Sequence, residues 1–239
     1  MCTPQYRHRL RAICKQVFTE EVAVADFNVY QIPEEHLAIR EAVREVCVDK
    51  VAPHAAAADA DAEFPMASYD ALRASDFHAP HIPIEYGGAG ADALATAIVI
   101  EEIARVCASS SLIPAVNKLG TMPLLLAGSH ELKQRYLPPV AAGEGMFSYC
   151  LSEPEAGSDA AAMKTRAVRD GDFWVIDGAK RWITNAGVSD FYTVFAVTDP
   201  EARSRGISAF VVEKGDEGVS FGAPEKKPGI KGSPTREVY

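Results

Sequence analysis

From Pro33 onward the apolar positions of the chain fall into helical spacing. Pro33, Glu34 and Glu35 open a helix, since proline suits a first turn and acids complement its positive end. Ile39, Val43, Val46, Cys47 and Val51 then recur at intervals of three and four until Pro53. A second helix is predicted over Pro65 to Arg73, with Met66, Tyr69 and Leu72 facing inward. Phe77 to Asp92, containing Pro80, Pro83 and Gly87-Gly88-Ala89-Gly90, reads as a long connecting loop. Asp92 caps a strong helix whose stripe is Leu94, Ile98, Val99, Ile103 and Val106. Another apolar helix runs over 111–126, and Ser129 caps a shorter one containing Leu132, Tyr136 and Leu137 that ends at Pro138-Pro139. Residues 31–145 are therefore expected to form an all-helical N-terminal domain.

Past Gly143-Glu144-Gly145 the period changes to two. A strand is predicted over Met146 to Leu151. Three more, over 165–168, 173–176 and 179–184, are joined at Asp170-Gly171 and Asp177-Gly178, dipeptides that suit the positive φ of tight hairpins. Strands over 191–197 and 207–212 continue the sheet, and Glu237 to Tyr239 begins one whose edge is expected to be unpaired. Short strands separated by turn residues indicate an antiparallel barrel or sandwich. The expected class is α+β, with the helical domain followed by a β domain over 146–239.

Composition narrows the function. The 239 residues carry a formal net charge of -9, which argues against a nucleic-acid binder. Five cysteines, Cys2, Cys14, Cys47, Cys107 and Cys150, are scattered without a Cys-x-x-Cys spacing, so neither a disulfide framework nor a zinc site is expected, and a reducing compartment is. The six histidines form no His-Glu-x-x-His pattern, and no metal is expected. No apolar run approaches the ~20 residues of a membrane span. Residues 1–30 read as an extension, disordered or with a misassigned start; Arg7, Arg9, Arg11 and Lys15 keep a transit peptide open as the alternative.

Two stretches carry candidate chemistry. Tyr149-Cys150-Leu151-Ser152-Glu153-Pro154-Glu155-Ala156-Gly157-Ser158-Asp159 leaves a strand with hydroxyls, a glycine and carboxylates but no apolar period, which is a shaped loop rather than core. Trp182-Ile183-Thr184-Asn185 sets a flat aromatic and a β-branched hydroxyl two residues apart on a strand, expected to project from one face. Glu153, Glu155 and Asp159 invite a general-base role. They lie in the ligand loop, however, and Asp159 is expected to cap the turn Ala160 to Met163.

In this order, and followed by Ile230-Lys231-Gly232-Ser233, the two stretches resemble the flavin-binding signature of the acyl-CoA dehydrogenases over about Gln31 to Tyr239. The resemblance implies FAD, taking a hydride from the β carbon of an acyl-CoA while a carboxylate removes the α proton. It implies cofactor contacts at Tyr149, Cys150, Leu151, Ser152, Gly157, Ser158, Trp182, Ile183 and Thr184. Ser152 matches a residue serving the pyrimidine edge of the flavin, Thr184 the donor to flavin N5, and Trp182 the ring beside the isoalloxazine. Ser158 matches a serine that also touches acyl-CoA. In that family the catalytic base, the arginine binding the acyl-CoA and much of a tetramer interface come from a C-terminal helical bundle, so no catalytic residue is assigned within 1–239. An electron-transfer flavoprotein as acceptor and a bacterial cytoplasmic location are implied too, a mitochondrial matrix being the alternative. An acyl-CoA oxidase or flavin monooxygenase of the same fold, or an inactive flavin- or acyl-CoA-binding fragment, remain open.

Overall fold

The computed structural model describes residues 31–239; the expectations for residues 1–30 lie outside it. Helix α1 (Glu34–Val46) continues through a π-turn (Cys47–Val51) into α2 (Ala52–Asp61), so Pro53 does not end the helix as expected. Its missing N–H costs nothing in the first turn of α2, and the Ala52 amide bonds to the Cys47 carbonyl across the wider turn. Helix α3 (Met66–Ala74) buries Tyr69 and Leu72, but Met66 is exposed rather than inward.

Asp92 opens α4 (Ala93–Val106) and accepts from the Ala95 amide at 2.7 Å while also bonding the buried His36 of α1 at 3.0 Å. A second link joins the same two helices where Glu102, buried on α4, takes Arg44 at 2.7 and 3.1 Å. Helix α5 (Ala108–Ala127) follows with a break only at Cys107, and Ser129 caps α6 (His130–Ala141) by accepting from the Leu132 amide at 3.2 Å. Pro138 and Pro139 lie inside α6 rather than ending it.

The connecting loop is built from the inside. His78 donates Nε2–H to the Val140 carbonyl at 2.8 Å, and His81 donates to Thr121 Oγ1 at 2.7 Å while Thr121 donates to the Asn117 carbonyl. Burial, then Lys118 and His78, hold His81 neutral, down to about 3.

The strands start at Phe147. One sheet comprises β1 (Phe147–Cys150), β2 (Arg166–Asp170), β3 (Phe173–Asp177), β5 (Phe191–Val197) and β6 (Ile207–Glu213); the other pairs β4 (Lys180–Thr184) with β7 (Thr235–Val238). The hairpin at Asp170-Gly171 forms as expected, with Gly171 at φ 58. At Asp177-Gly178 the chain instead leaves one sheet for the other, since β4 pairs with β7 and not with β3. Two pairings are parallel, β1 and β2 each with β5, so the first sheet is mixed. The last strand is paired on both sides: by β4, and by Ser220 through reciprocal bonds with Tyr239 at 2.9 and 3.1 Å.

Helices and strands pack as one compact unit, Glu35–Tyr239. A close approach is made at Gly120 of α5, where an added Cβ would stand 2.7 Å from Phe147 Cβ and 3.1 Å from the Ser148 carbonyl. Only glycine lets α5 lie so near β1. Between the sheets Cys150, Ile183, Tyr192, Val194 and Val238 form a buried cluster, each large side chain adding about 1.5–3 kcal/mol of burial. No described helix is long and apolar enough to cross a membrane.

Candidate functional site

Alternation along β1 divides the first predicted segment. Cys150 points inward and is fully buried, its thiol pushed up by burial, whereas Tyr149 and Leu151 face the opposite side with Ser152. On β4 a bulge between Lys180 and Ile183 breaks the expected period of two. Trp182 takes φ 59, a left-handed conformation rare for an aromatic. The extra residue turns Lys180 and Ile183 both into the interior, 2% exposed each, and sends Trp182 and Thr184 outward together.

The outward residues converge, with the buried Ile183 forming the floor between them. Tyr149, Leu151, Ser152, Arg181, Trp182, Ile183 and Thr184, with Val116 and Leu119 of α5, line an open cleft of about 180 Å³. Two bonds link its walls: the Arg181 amide donates to the Ser152 carbonyl at 2.9 Å, and the buried Ser148 hydroxyl donates to the Thr184 carbonyl at 2.7 Å. Both use backbone carbonyls, which leaves the side-chain hydroxyls of Ser152 and Thr184 to a ligand. The Trp182 ring is 54% exposed, with the Arg181 guanidinium 5.1 Å from its centre. A large flat apolar face beside two hydroxyl donors suits a flat heteroaromatic ring with polar edges, so the residues present fit a flavin.

Gly157 and Ser158 lie apart from the cleft, both exposed on the loop that follows. Asp159 precedes the single 3-10 turn Ala160–Ala162 at the expected place, but its side chain makes no capping bond. Glu155 pairs with Lys164 at the surface. Glu153 is 4% exposed and bonded to Lys180 Nζ at 2.8 Å. Burial raises its carboxyl, and donors outweigh that: the Lys164 amide, Lys180 and Thr165 hold it at about 2. Burial draws the Lys180 ammonium below its ordinary value, against the pull of Glu153. No carboxylate lines the cleft among the described residues, and no cluster of them could hold a metal.

A larger hollow of about 340 Å³ is lined by Trp174, Phe210, Val212, Val238 and Lys180 among others; no expected ligand residue lines it. Sequence reading missed the α5 wall, although Val116 and Leu119 sit three apart on one helical face, and it missed the Glu153–Lys180 pair.

The helical unit, the mixed β unit and the cleft where they meet coincide with two models of one family: "Acyl-CoA dehydrogenase, N-terminal domain" over residues 33–144 and "Acyl-CoA dehydrogenase, middle domain" over 148–239. The chain belongs to the acyl-CoA dehydrogenase family. It is 60% identical over 213 residues to the probable acyl-CoA dehydrogenase FadE25 of Mycobacterium tuberculosis, covering 89% of this chain and 55% of that protein. Among solved structures it resembles a glutaryl-coenzyme A dehydrogenase in complex with glutaryl-CoA, at TM-score 0.83 and 35% identity over 90% of this chain and 54% of that one. An acyl-CoA dehydrogenase complexed with FAD from Bacillus anthracis matches at TM-score 0.79 and 33% identity over 89% of this chain and 36% of that one. The chain spans about half the length of the curated relatives it matches.

Proposed function

We propose that the protein carrying this chain is an FAD-dependent acyl-CoA dehydrogenase, converting an acyl-CoA thioester to its 2-enoyl-CoA in the bacterial cytoplasm. The observation that carries this is the cleft itself, where an exposed indole and two uncommitted hydroxyls from distant segments meet against α5. When bound, FAD supplies the hydride acceptor for the β carbon. Trp182 covers its flat face, Ser152 and Thr184 offer donors to its polar edge, and Val116 and Leu119 exclude water from that side. Ser158, on the exposed loop, is read as an acyl-CoA contact, and Cys150, Ile183 and Gly157 as contacts through the backbone or its close approach.

The base that removes the α proton is assigned to no residue of this chain, in keeping with a cleft free of carboxylates among the described residues. Residues 31–145 and 146–239 are read as the two domains, a homotetramer as the assembly, and an electron-transfer flavoprotein as the acceptor. The chain is expected to quench its Trp182 fluorescence on adding FAD. In the protein carrying it, anaerobic mixing with a panel of acyl-CoAs should bleach the flavin band, and Thr184→Val should slow that bleaching with little change in fold. A chain that stays colourless after reconstitution, or a Thr184→Val variant with unaltered bleaching, would refute the corresponding assignment.

A further inference from the structure

We infer that the buried Glu153–Lys180 ion pair is a positioning device that sets the distance between the two walls of the cleft, and that FAD affinity depends on it. The inference rests on the flavin reading above. Glu153 directly follows Ser152, and Lys180 stands one residue before Arg181 and two before Trp182, so the pair joins the two cleft segments immediately behind their ligand-facing side chains.

Its hydrogen bonds have a fixed polarity. Glu153 Oε1 accepts from Lys180 Nζ at 2.8 Å and from the Thr165 amide at 3.0 Å, while Oε2 accepts from the Lys164 amide at 2.6 Å. Lys180 Nζ also donates to the Leu151 carbonyl at 3.1 Å. One carboxylate thus closes the loop 151–165 at both ends, and one ammonium fastens its start to β4. The Glu153–Ala156 bridge, with bonds of 3.0 and 3.2 Å, tightens the first turn of that loop.

A purely stabilising role would be poorly served by charge here. Two ions taken out of water are costly, and an apolar pair of similar volume is often as stable or more so. What charge adds is a unique arrangement: a carboxylate that must find amide donors and an ammonium that must find a carbonyl admit few loop conformations. The cleft is a place where such specification matters, because ligand groups held loosely by their supporting residues lose affinity.

The test uses the 239-residue chain with three changes: Glu153→Gln, the double variant Glu153→Gln with Lys180→Met, which leaves no orphaned buried charge, and the exchanged pair Glu153→Lys with Lys180→Glu. Three quantities are read: the FAD dissociation constant from flavin fluorescence, amide exchange across 151–165, and the thermal midpoint. The double variant is expected to melt near the native temperature, to exchange faster within 151–165 alone, and to bind FAD about tenfold or more weakly, the scale of one charge-assisted hydrogen bond. The exchanged pair restores attraction but presents donors to the Lys164 and Thr165 amides and an acceptor to the Leu151 carbonyl. It is therefore expected not to recover FAD binding. Recovery by the exchanged pair, native FAD affinity in the double variant, or faster exchange spread over the whole β sheet would each overturn the inference while leaving the flavin reading intact. Absence of FAD binding by the native chain would overturn that reading, and the inference with it.

Discussion

Replacing Gly120 by alanine sets two opposed effects against each other, and the structure decides the sign. In an exposed helix the change would stabilise by up to ~1 kcal/mol, the difference in helix propensity. Here the new methyl would stand 2.7 Å from Phe147 Cβ, 3.1 Å from the Ser148 carbonyl and 3.3 Å from the Phe147 carbonyl carbon. Carbon atoms in good contact sit about 3.5–4.0 Å apart, so α5 and β1 must separate by roughly 1 Å. The obstructing atoms are backbone or next to it, and no rotamer change can remove them. Overpacking of this kind costs about 1–3 kcal/mol. The same movement stretches the bond from the Thr193 hydroxyl to the Gly120 carbonyl, now 2.6 Å, worth roughly 0.5–1.5 kcal/mol. The net expectation is a loss of about 1–3 kcal/mol, and at roughly 2–4 °C per kcal/mol for a chain of this size the thermal midpoint should fall by several degrees. Far-UV circular dichroism during heating measures it. Since Val116 and Leu119 lie in the turn of α5 just before Gly120 and line the cleft, FAD affinity should fall as well. A midpoint that rises would mean propensity dominates and that α5 and β1 are not held at this distance.

Trp182→Asn should leave the free energy of urea unfolding within about 1 kcal/mol of native, because asparagine tolerates the left-handed conformation and that relief, ~1 kcal/mol, offsets a lost cation–π contact of ~0.5–1 kcal/mol. FAD titration of the same variant should show weakened binding, whereas a stability loss above ~3 kcal/mol would show the ring to be core. For His81 the folded value near 3 lies below the ordinary ~6.5, so the unfolded chain binds more protons between them and stability is complete above ~6.5 and lost as pH falls toward 3. Urea unfolding between pH 7.5 and 4.5, above the window in which Glu153 titrates, should show this slope, and His81→Gln should flatten it; an unchanged slope in the variant would place the acid sensitivity elsewhere.

The helices were legible because their stripes and caps are local properties. Asp92 and Ser129 cap where their side chains, followed by apolar periods, say they should. The misread ends have different causes: Pro53 costs nothing because a first turn after a π-turn has already released its amide, whereas Pro138 and Pro139 stand near the end of α6, where the helix runs on only to Ala141 and their carbonyls accept from the Ala142 and Glu144 amides. Strand pairing was less legible. Asp177-Gly178 has the composition of a hairpin turn, yet the choice between folding back on β3 and crossing to β7 is made some 60 residues away by β7 itself, which no local pattern encodes.

In the cleft, the pair Trp182 and Thr184 was read as sharing a face because strands alternate, and over 182–184 they do, with Ile183 turned inward between them; what alternation does not explain is Lys180. Unbroken alternation back along β4 would also have placed Lys180 on that face, an ammonium beside the indole. The bulge at Trp182 adds one residue and so shifts the phase: Lys180 goes inward to Glu153, Ile183 goes inward to the core, and the indole is left in the cleft at the cost of a left-handed backbone. Nothing in the hydrophobic pattern announces this, since lysine ordinarily marks a surface position and its buried partner lies 27 residues earlier. The motif was therefore legible as a list of residues, while the geometry that makes it a site depends on a buried charge pair that only the folded chain reveals. It follows that transplanting Trp182-Ile183-Thr184 onto a regular strand without Glu153 and Lys180 should not reproduce the cleft.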